Sequence, residues 1–206
     1  MLVAAIDVGS ALKMGWSTST GLSGCGEPTI LLDAIASAIS ADEPVAIGFE
    51  APLWVPRRRP FPTMTANRGG IEAAMSRPWS AGAGCGAMAA GIANMAWIFD
   101  ALFARMGALC ATTCTSRFAQ GDMQLLIWEA FVSGHLKAQS HAGDAELAVA
   151  AFVAGWPHLE TAIRHEPSIN LAAAAAAGAG HAIDFAELGN PGLVIAAQPR
   201  IVLADT

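Results

Sequence analysis

Five apolar residues in a row, Leu2 to Ile6, end in a single carboxylate, Asp7, with Gly9 two residues further on. A run this short, with no polar alternation, reads as a strand covered on both faces, as in parallel or mixed α/β sheets. Asp7 then falls where the strand leaves the core, and Gly9 lets the backbone turn sharply. Gly15 to Thr20 reads as a second strand folding back beside the first. An ionised carboxylate on a central buried strand is costly unless something positive faces it, and a metal ion is the usual solution. A carboxylate that merely caps a turn is the equally ordinary alternative.

The same pattern returns. After a glycine-rich turn over 21–28, residues 29–40 have helical spacing, with Leu31 or Leu32, Ile35 and Ile39 on one stripe, and Pro44 stops the helix. Val45 to Phe49 is a second apolar run that ends in an acid, Glu50, followed by Pro52. From Gly86 to Gly107 apolar side chains recur at helical steps (Met88, Ile92, Met95, Phe99, Phe103). Met123 to Phe131 reads as a strand with Glu129 near its end, although its Met, Gln and Leu also suit a helix. Asp144 opens an apolar helix over 145–156, on the face that carries Leu147, Ala148, Ala151 and Phe152. An alanine-rich helix is expected over 171–177. Terminal strands are expected over 192–197 and 200–204, the last pushed to an edge by Pro199.

Composition bounds what such a chain can be. The 206 residues are 54% hydrophobic and fit a single domain, with no internal repeat and no boundary. Much of the apolar count is alanine, and no run of about 20 strongly apolar residues, the length of a spanning helix, stands out. The opening apolar run is interrupted by Asp7 and lacks the basic flank of a signal peptide, so a cytoplasmic protein without a membrane is expected. Four scattered cysteines (Cys25, Cys85, Cys110, Cys114) have neither disulfide-framework nor zinc-site spacing and read as buried thiols.

A net charge of −6 argues against a surface coated in positive potential for non-specific nucleic-acid binding. The distribution differs from the total. Residues 52–80 hold five of the eleven Lys and Arg residues (Arg57, Arg58, Arg59, Arg68, Arg77) and five of the eleven prolines, with Glu72 the one acid. This reads as a long irregular loop with at most short helical turns, either solvated or facing an anion.

Three expected strands thus end in, or carry near the end, an acid (Asp7, Glu50, Glu129), and a fourth acid, Asp144, opens a buried helix. On neighbouring strands they would converge at one sheet edge, where mutual repulsion raises pKa values unless cations intervene. Mg²⁺, or Mn²⁺, suits such a set, being hard and oxygen-seeking. Two such ions about 4 Å apart can activate water and stabilise the leaving oxygen of a phosphoryl displacement. Taken singly, each acid has a plain structural role available: an arginine partner for Glu50, a solvent-facing helix position for Glu129, a helix first turn for Asp144.

The ordered set resembles a known pattern. Ala4-Ala-Ile-Asp7-Val-Gly9-Ser with Gly15-Trp16 is similar to the first hairpin of the ribonuclease H-like superfamily, which includes Holliday-junction resolvases. Ile47-Gly-Phe-Glu50-Ala-Pro-Leu with Arg57-Arg58-Arg59-Pro60, Ile127-Trp-Glu129-Ala, Gly143-Asp144-Ala-Glu-Leu-Ala and Gly192-Leu-Val-Ile resemble later elements of a bacterial family of ribonuclease H-like nucleases of unknown function. Glu50 departs from the aspartate that is commoner in that family.

The resemblance implies an α/β ribonuclease H-like fold: a mixed β-sheet led by three antiparallel strands and flanked by α-helices. It also implies a two-metal phosphodiesterase site. The leading expectation is a magnesium-dependent nuclease with nucleic acid, DNA or RNA, as substrate. Asp7, Glu50, Glu129 and Asp144 would hold the metal, and Arg57, Arg58, Arg59 and Arg77 would grip phosphates, a task suited to the arginine fork. His141 and Lys13 lie close in sequence to these acids and could assist or be structural. A phosphotransferase related to actin and sugar kinases shares the Asp-x-Gly hairpin, but this chain offers one such hairpin where those folds use two. A non-catalytic domain that binds a partner through residues 52–80 is the third reading. Whether the chain pairs as a homodimer is open.

Overall fold

The apolar run at the N-terminus is β1, Leu2–Asp7, buried at every position. Alternate side chains serve opposite sides of the sheet: Leu2, Ala4 and Ile6 join one core, and Val3 and Ala5 join the other. In this computed structural model, which describes residues 1–74, 79–132 and 136–197, β1 lies at the centre of a mixed, seven-stranded sheet. The strand expected over 200–204 and Arg77 lie outside the described residues.

β2 (Gly15–Thr18) pairs antiparallel with β1, and β3 (Ser23–Cys25) antiparallel with β2. On the other side β4 (Val45–Phe49) runs parallel to β1, and β7 (Leu125–Phe131) parallel to β4. Along the far edge of β7, β6 (Ala111–Thr112) pairs with its first residues and β9 (Val194–Ala196) with its last, both parallel. The strand order is therefore β3-β2-β1-β4-β7-β6 with β9 beside β7. A separate two-stranded ribbon joins β5 (Trp54–Pro56) to β8 (Ser168–Asn170). The rest of residues 52–74 is irregular apart from two single 3₁₀ turns, as its proline content dictates.

Both faces are covered. One carries α1 (Thr29–Ser40), α2 (Gly82–Met106) and α5 (Leu171–Gly178), packed through Leu31, Ile35, Met95, Phe99 and Leu102 onto Ile6, Ile47, Phe49 and Ile127. The other carries α4 (His141–Gly155), with α3 (Thr115–Ala119) adding Phe118. Small residues bring α4 close. Ala145 and Ala148 meet Ala5 and Ala46 in one core, and Gly48 leaves room for the Trp128 indole on the sheet.

Two expectations are corrected here. The cysteines are not buried thiols: Cys25, Cys85 and Cys110 are exposed, because they sit on the short edge strand β3, the outer side of α2 and the approach to β6. And α2, 25 residues with mean hydropathy 1.5 over its most apolar stretch, is long and apolar enough to cross a membrane. Its inner stripe, Met95, Ile98, Phe99 and Leu102, is instead part of the core.

Candidate metal centre

Parallel pairing of β1 with β4 matches Ile6 to Phe49, so Asp7 and Glu50 are level with each other at the C-terminal edge of adjacent strands. The Glu50 N–H donates to the Ile6 carbonyl at 2.8 Å, which holds that register one residue past the strand. Since Ile6 and Phe49 point into the α1/α2 core, the next residues, Asp7 and Glu50, face the α4 side.

The helix on that side begins at Ser140, whose Oγ accepts the Gly143 N–H at 3.1 Å as an N-cap. This start puts His141 and Asp144 on the first turn, three residues apart and so on one face. Gly15 lets the turn reach the sheet, because a β-carbon there would run into the backbone of His141 and Ala142. Gly15 is the ladder partner of Asp7. Asp7, Glu50 and Asp144 thereby each offer an oxygen within 4.8 Å of the others. Asp7 and Asp144 are buried and the Glu50 side chain is 12% exposed. His141 Nδ1 is hydrogen-bonded to Asp7 Oδ2, the carboxylate accepting.

A cation the sequence reading did not single out completes the group. Lys137 Nζ lies 3.0 Å from Glu50 Oε1 and 3.0 Å from Asp144 Oδ2. The neighbouring Ala138 N–H donates to Asp144 Oδ1 at 2.6 Å. Nothing periodic marks Lys137; the one signal is that the chain has just two lysines and this one stands seven residues before Asp144. Burial, and then the charge of Asp7, push the Glu50 carboxyl up to about 8, against the pull of Lys137. Burial pulls the Lys137 ammonium down, but Glu50 and Asp144 outweigh it and its pKa is raised.

Over this group opens a cleft of about 350 Å³. Its far wall is the first turns of α2 (Ala83, Gly84, Gly86, Ala87), a helix that starts after Ala81 without a side-chain cap. The wall is fixed to the sheet by Asn94, whose side chain accepts from the Gly9 N–H at 3.0 Å and donates to the Gly9 carbonyl at 3.1 Å. Asn94 too was not anticipated.

Glu129 lines the same cleft but is not one of the three acids that converge within 4.8 Å. Its ladder partner is Phe49, so it points to the side opposite Asp7 and Glu50; the β7 residue level with Glu50 is Ala130. On that side Arg68 clamps it, Nη1 at 2.8 Å and Nη2 at 2.6 Å, while the Leu53 N–H donates at 2.9 Å. Arg68 also donates from Nε to Glu72 at 2.6 Å and stacks 4.7 Å from the Trp54 ring centroid. Burial opposes the charge on Arg68, but Glu129 and Glu72 raise its pKa.

The arginine run also serves other ends. None of Arg57, Arg58 and Arg59 lines the cleft. Arg58 is spent on the carbonyls of Thr63, Ala66 and Asn67 in its own loop and on Glu166 from a distant part of the chain. Arg57 and Arg59 are exposed and, like the exposed Lys13, make no side-chain hydrogen bond among the described residues. Asp7, Glu50 and Asp144 could hold a metal ion between them, with His141 and Lys137 beside it. No protein-family model matches this chain, and neither does any curated protein or solved structure.

Proposed function

We propose that the protein is a divalent-metal-dependent phosphodiesterase of the ribonuclease H-like kind, acting on nucleic acid. The observation that carries this reading is the convergence of Asp7, Glu50 and Asp144 within 4.8 Å, from two adjacent parallel strands and a helix first turn. The sheet order, with three antiparallel strands leading into parallel ones, supports it.

The donor set fits the ion. It is made of hard carboxylate oxygens, as Mg²⁺ or Mn²⁺ requires. Glu50 Oε2 is buried with no hydrogen-bond partner among the described residues, an oxygen a cation would satisfy. Asp7, Glu50 and Asp144 would hold the metal, which when bound supplies an acidified water and charge stabilisation at the phosphate. Around it, Asp7 orients His141 through Nδ1 and leaves Nε2 to hold or release a proton. The uncapped α2 N-terminus across the cleft presents backbone N–H groups at the positive end of the helix dipole, complementary to a phosphate.

One observation favours the second reading, a non-catalytic domain of the same fold. Among the described residues, Arg68 and Lys137, the Arg and Lys that line the cleft, are both committed to carboxylates, and Arg58 is paired with Glu166. A polyanion would find few free cations there.

Isothermal titration of Mn²⁺ or Mg²⁺ into wild type and Asp7→Asn at low salt, followed by cleavage assays on branched, single-stranded and hybrid substrates, separates the two. Ion binding lost in the variant, with metal-dependent cleavage by wild type, supports the nuclease. Ion binding without cleavage supports the binding domain, and absence of ion binding to wild type overturns the metal centre.

A further inference from the structure

The carboxylate centre carries its own cation. The Lys137 ammonium bridges Glu50 Oε1 and Asp144 Oδ2 at 3.0 Å each, using lone pairs on two of the three groups that would ligate an ion. We propose that Lys137 is a resident counter-cation, and that a divalent ion enters the centre by displacing its ammonium group. This rests on the metal-centre reading above.

The two cations compete for the same two carboxylates. Asp144 Oδ1 is held by the Ala138 N–H, so Oδ2, the atom that Lys137 contacts, is the oxygen on that residue an ion would take. An ammonium on Asp144 Oδ2 and a divalent ion bound through that oxygen and Glu50 Oε2, unpartnered among the described residues, cannot coexist without severe like-charge repulsion.

Lys137 is also built to leave. Its side chain is 39% exposed, and a flexible four-carbon stem can swing to solvent without opening the core. Arg68, which lines the same cleft, shows the contrast. Its side chain is 1% exposed and locked between Glu72 and Glu129, a fixed structural pair rather than an exchangeable one. A counter-cation in the metal-free protein has a physical reason: three neighbouring carboxylates, two of them buried, repel one another and destabilise the fold unless compensated. Once released, the Lys137 ammonium remains on the rim of the cleft.

The sequence offers an internal control, because Lys13 is the one other lysine and is exposed. Wild-type protein is treated with a lysine-acylating ester, and the rate at each lysine is read by mass spectrometry. Lys137 is expected to react more slowly than Lys13 in metal-free buffer and to accelerate severalfold when Mn²⁺ saturates the site, with Lys13 unchanged. A Lys137 rate that does not respond to a bound ion overturns the proposal.

In parallel, Lys137→Gln is expected to bind Mn²⁺ roughly tenfold tighter than wild type, since a competing charge is gone. Lys137→Arg, which keeps the charge, is expected to stay nearer wild type. Equal or weaker binding by Lys137→Gln overturns displacement while leaving the metal centre standing; no ion binding by either protein overturns both.

Discussion

Gly15 and His141 share one space: the backbone of His141 lies where a Gly15 side chain would be. Because Gly15 is the ladder partner of Asp7, this contact delivers the first turn of α4, with His141 and Asp144, onto the end of β1. A methyl group must push that turn away. Gly15→Ala is therefore expected to cost about 1–3 kcal/mol of stability, as overpacking does. It should weaken Mn²⁺ binding with every ligand still in the chain. Thermal unfolding and ion titration of the variant measure the two effects, and a variant with wild-type ion affinity would show that Gly15 does not position the helix.

The acids separate by face, and substitution should separate them too. Asp7→Asn, Glu50→Gln and Asp144→Asn are each expected to weaken ion binding roughly tenfold or more. Glu129→Gln should leave it near wild type, because Glu129 answers to Arg68. The cost of disturbing that pair appears in stability instead. Arg68→Ala leaves Glu129 and Glu72 buried without their cation, expected to destabilise by about 3–5 kcal/mol. Denaturant midpoints for the Arg68 and Glu129 variants, set beside titrations of all four acid variants, check the division.

What the sequence disclosed follows from where burial leaves a mark. β1, β4 and β7 were legible because strands buried on both faces are short apolar runs, α1 and α2 because their stripes keep helical spacing, and α5 because its run of alanines favours a helix. For the same reason the faces of β7 were illegible. With Trp128 and Ala130 on one side and Ile127 on the other, no polar alternation shows to which side Glu129 points. β3, β5, β6 and β8, two or three residues each, have no pattern to find. α4 starts earlier than expected because its cap is Ser140, which brings His141 onto the helix beside Asp144. Lys137 and Arg68 were invisible as site or core residues, since a lone cation in a loop reads as solvated until its partners are placed.

The arginine run should divide in the same way under mutation. Arg58→Ala removes a guanidinium that ties residues 63–67 to Glu166, and is expected to lower stability by about 2 kcal/mol. Arg57→Ala and Arg59→Ala touch exposed side chains and should leave stability within about 0.5 kcal/mol. If these two contact phosphates, as the nuclease reading expects, each substitution lowers nucleic-acid affinity and reduces the slope of affinity with salt by about one. Equal salt slopes for the double variant and wild type would remove them from the substrate interface.

His181 sets an acid limit on the fold. The Leu109 N–H donates to its Nδ1 at 3.1 Å, so that nitrogen carries no proton, and Nε2 donates to the Phe99 carbonyl at 3.0 Å. The ring lies between Phe99 and Phe103 and is buried. Burial lowers its pKa from 6.5, more than the Phe99 carbonyl and Asp100 raise it. The unfolded chain therefore takes up this proton at higher pH than the folded one. The contribution of neutral His181 is complete above about 6.5 and is lost as pH falls through the depressed folded value. Urea midpoints are expected to fall between pH 7.5 and 5 in wild type and to fall less in His181→Gln, whose amide can accept from Leu109 and donate to Phe99 without titrating. Equal pH dependence in the two proteins would place the acid sensitivity elsewhere.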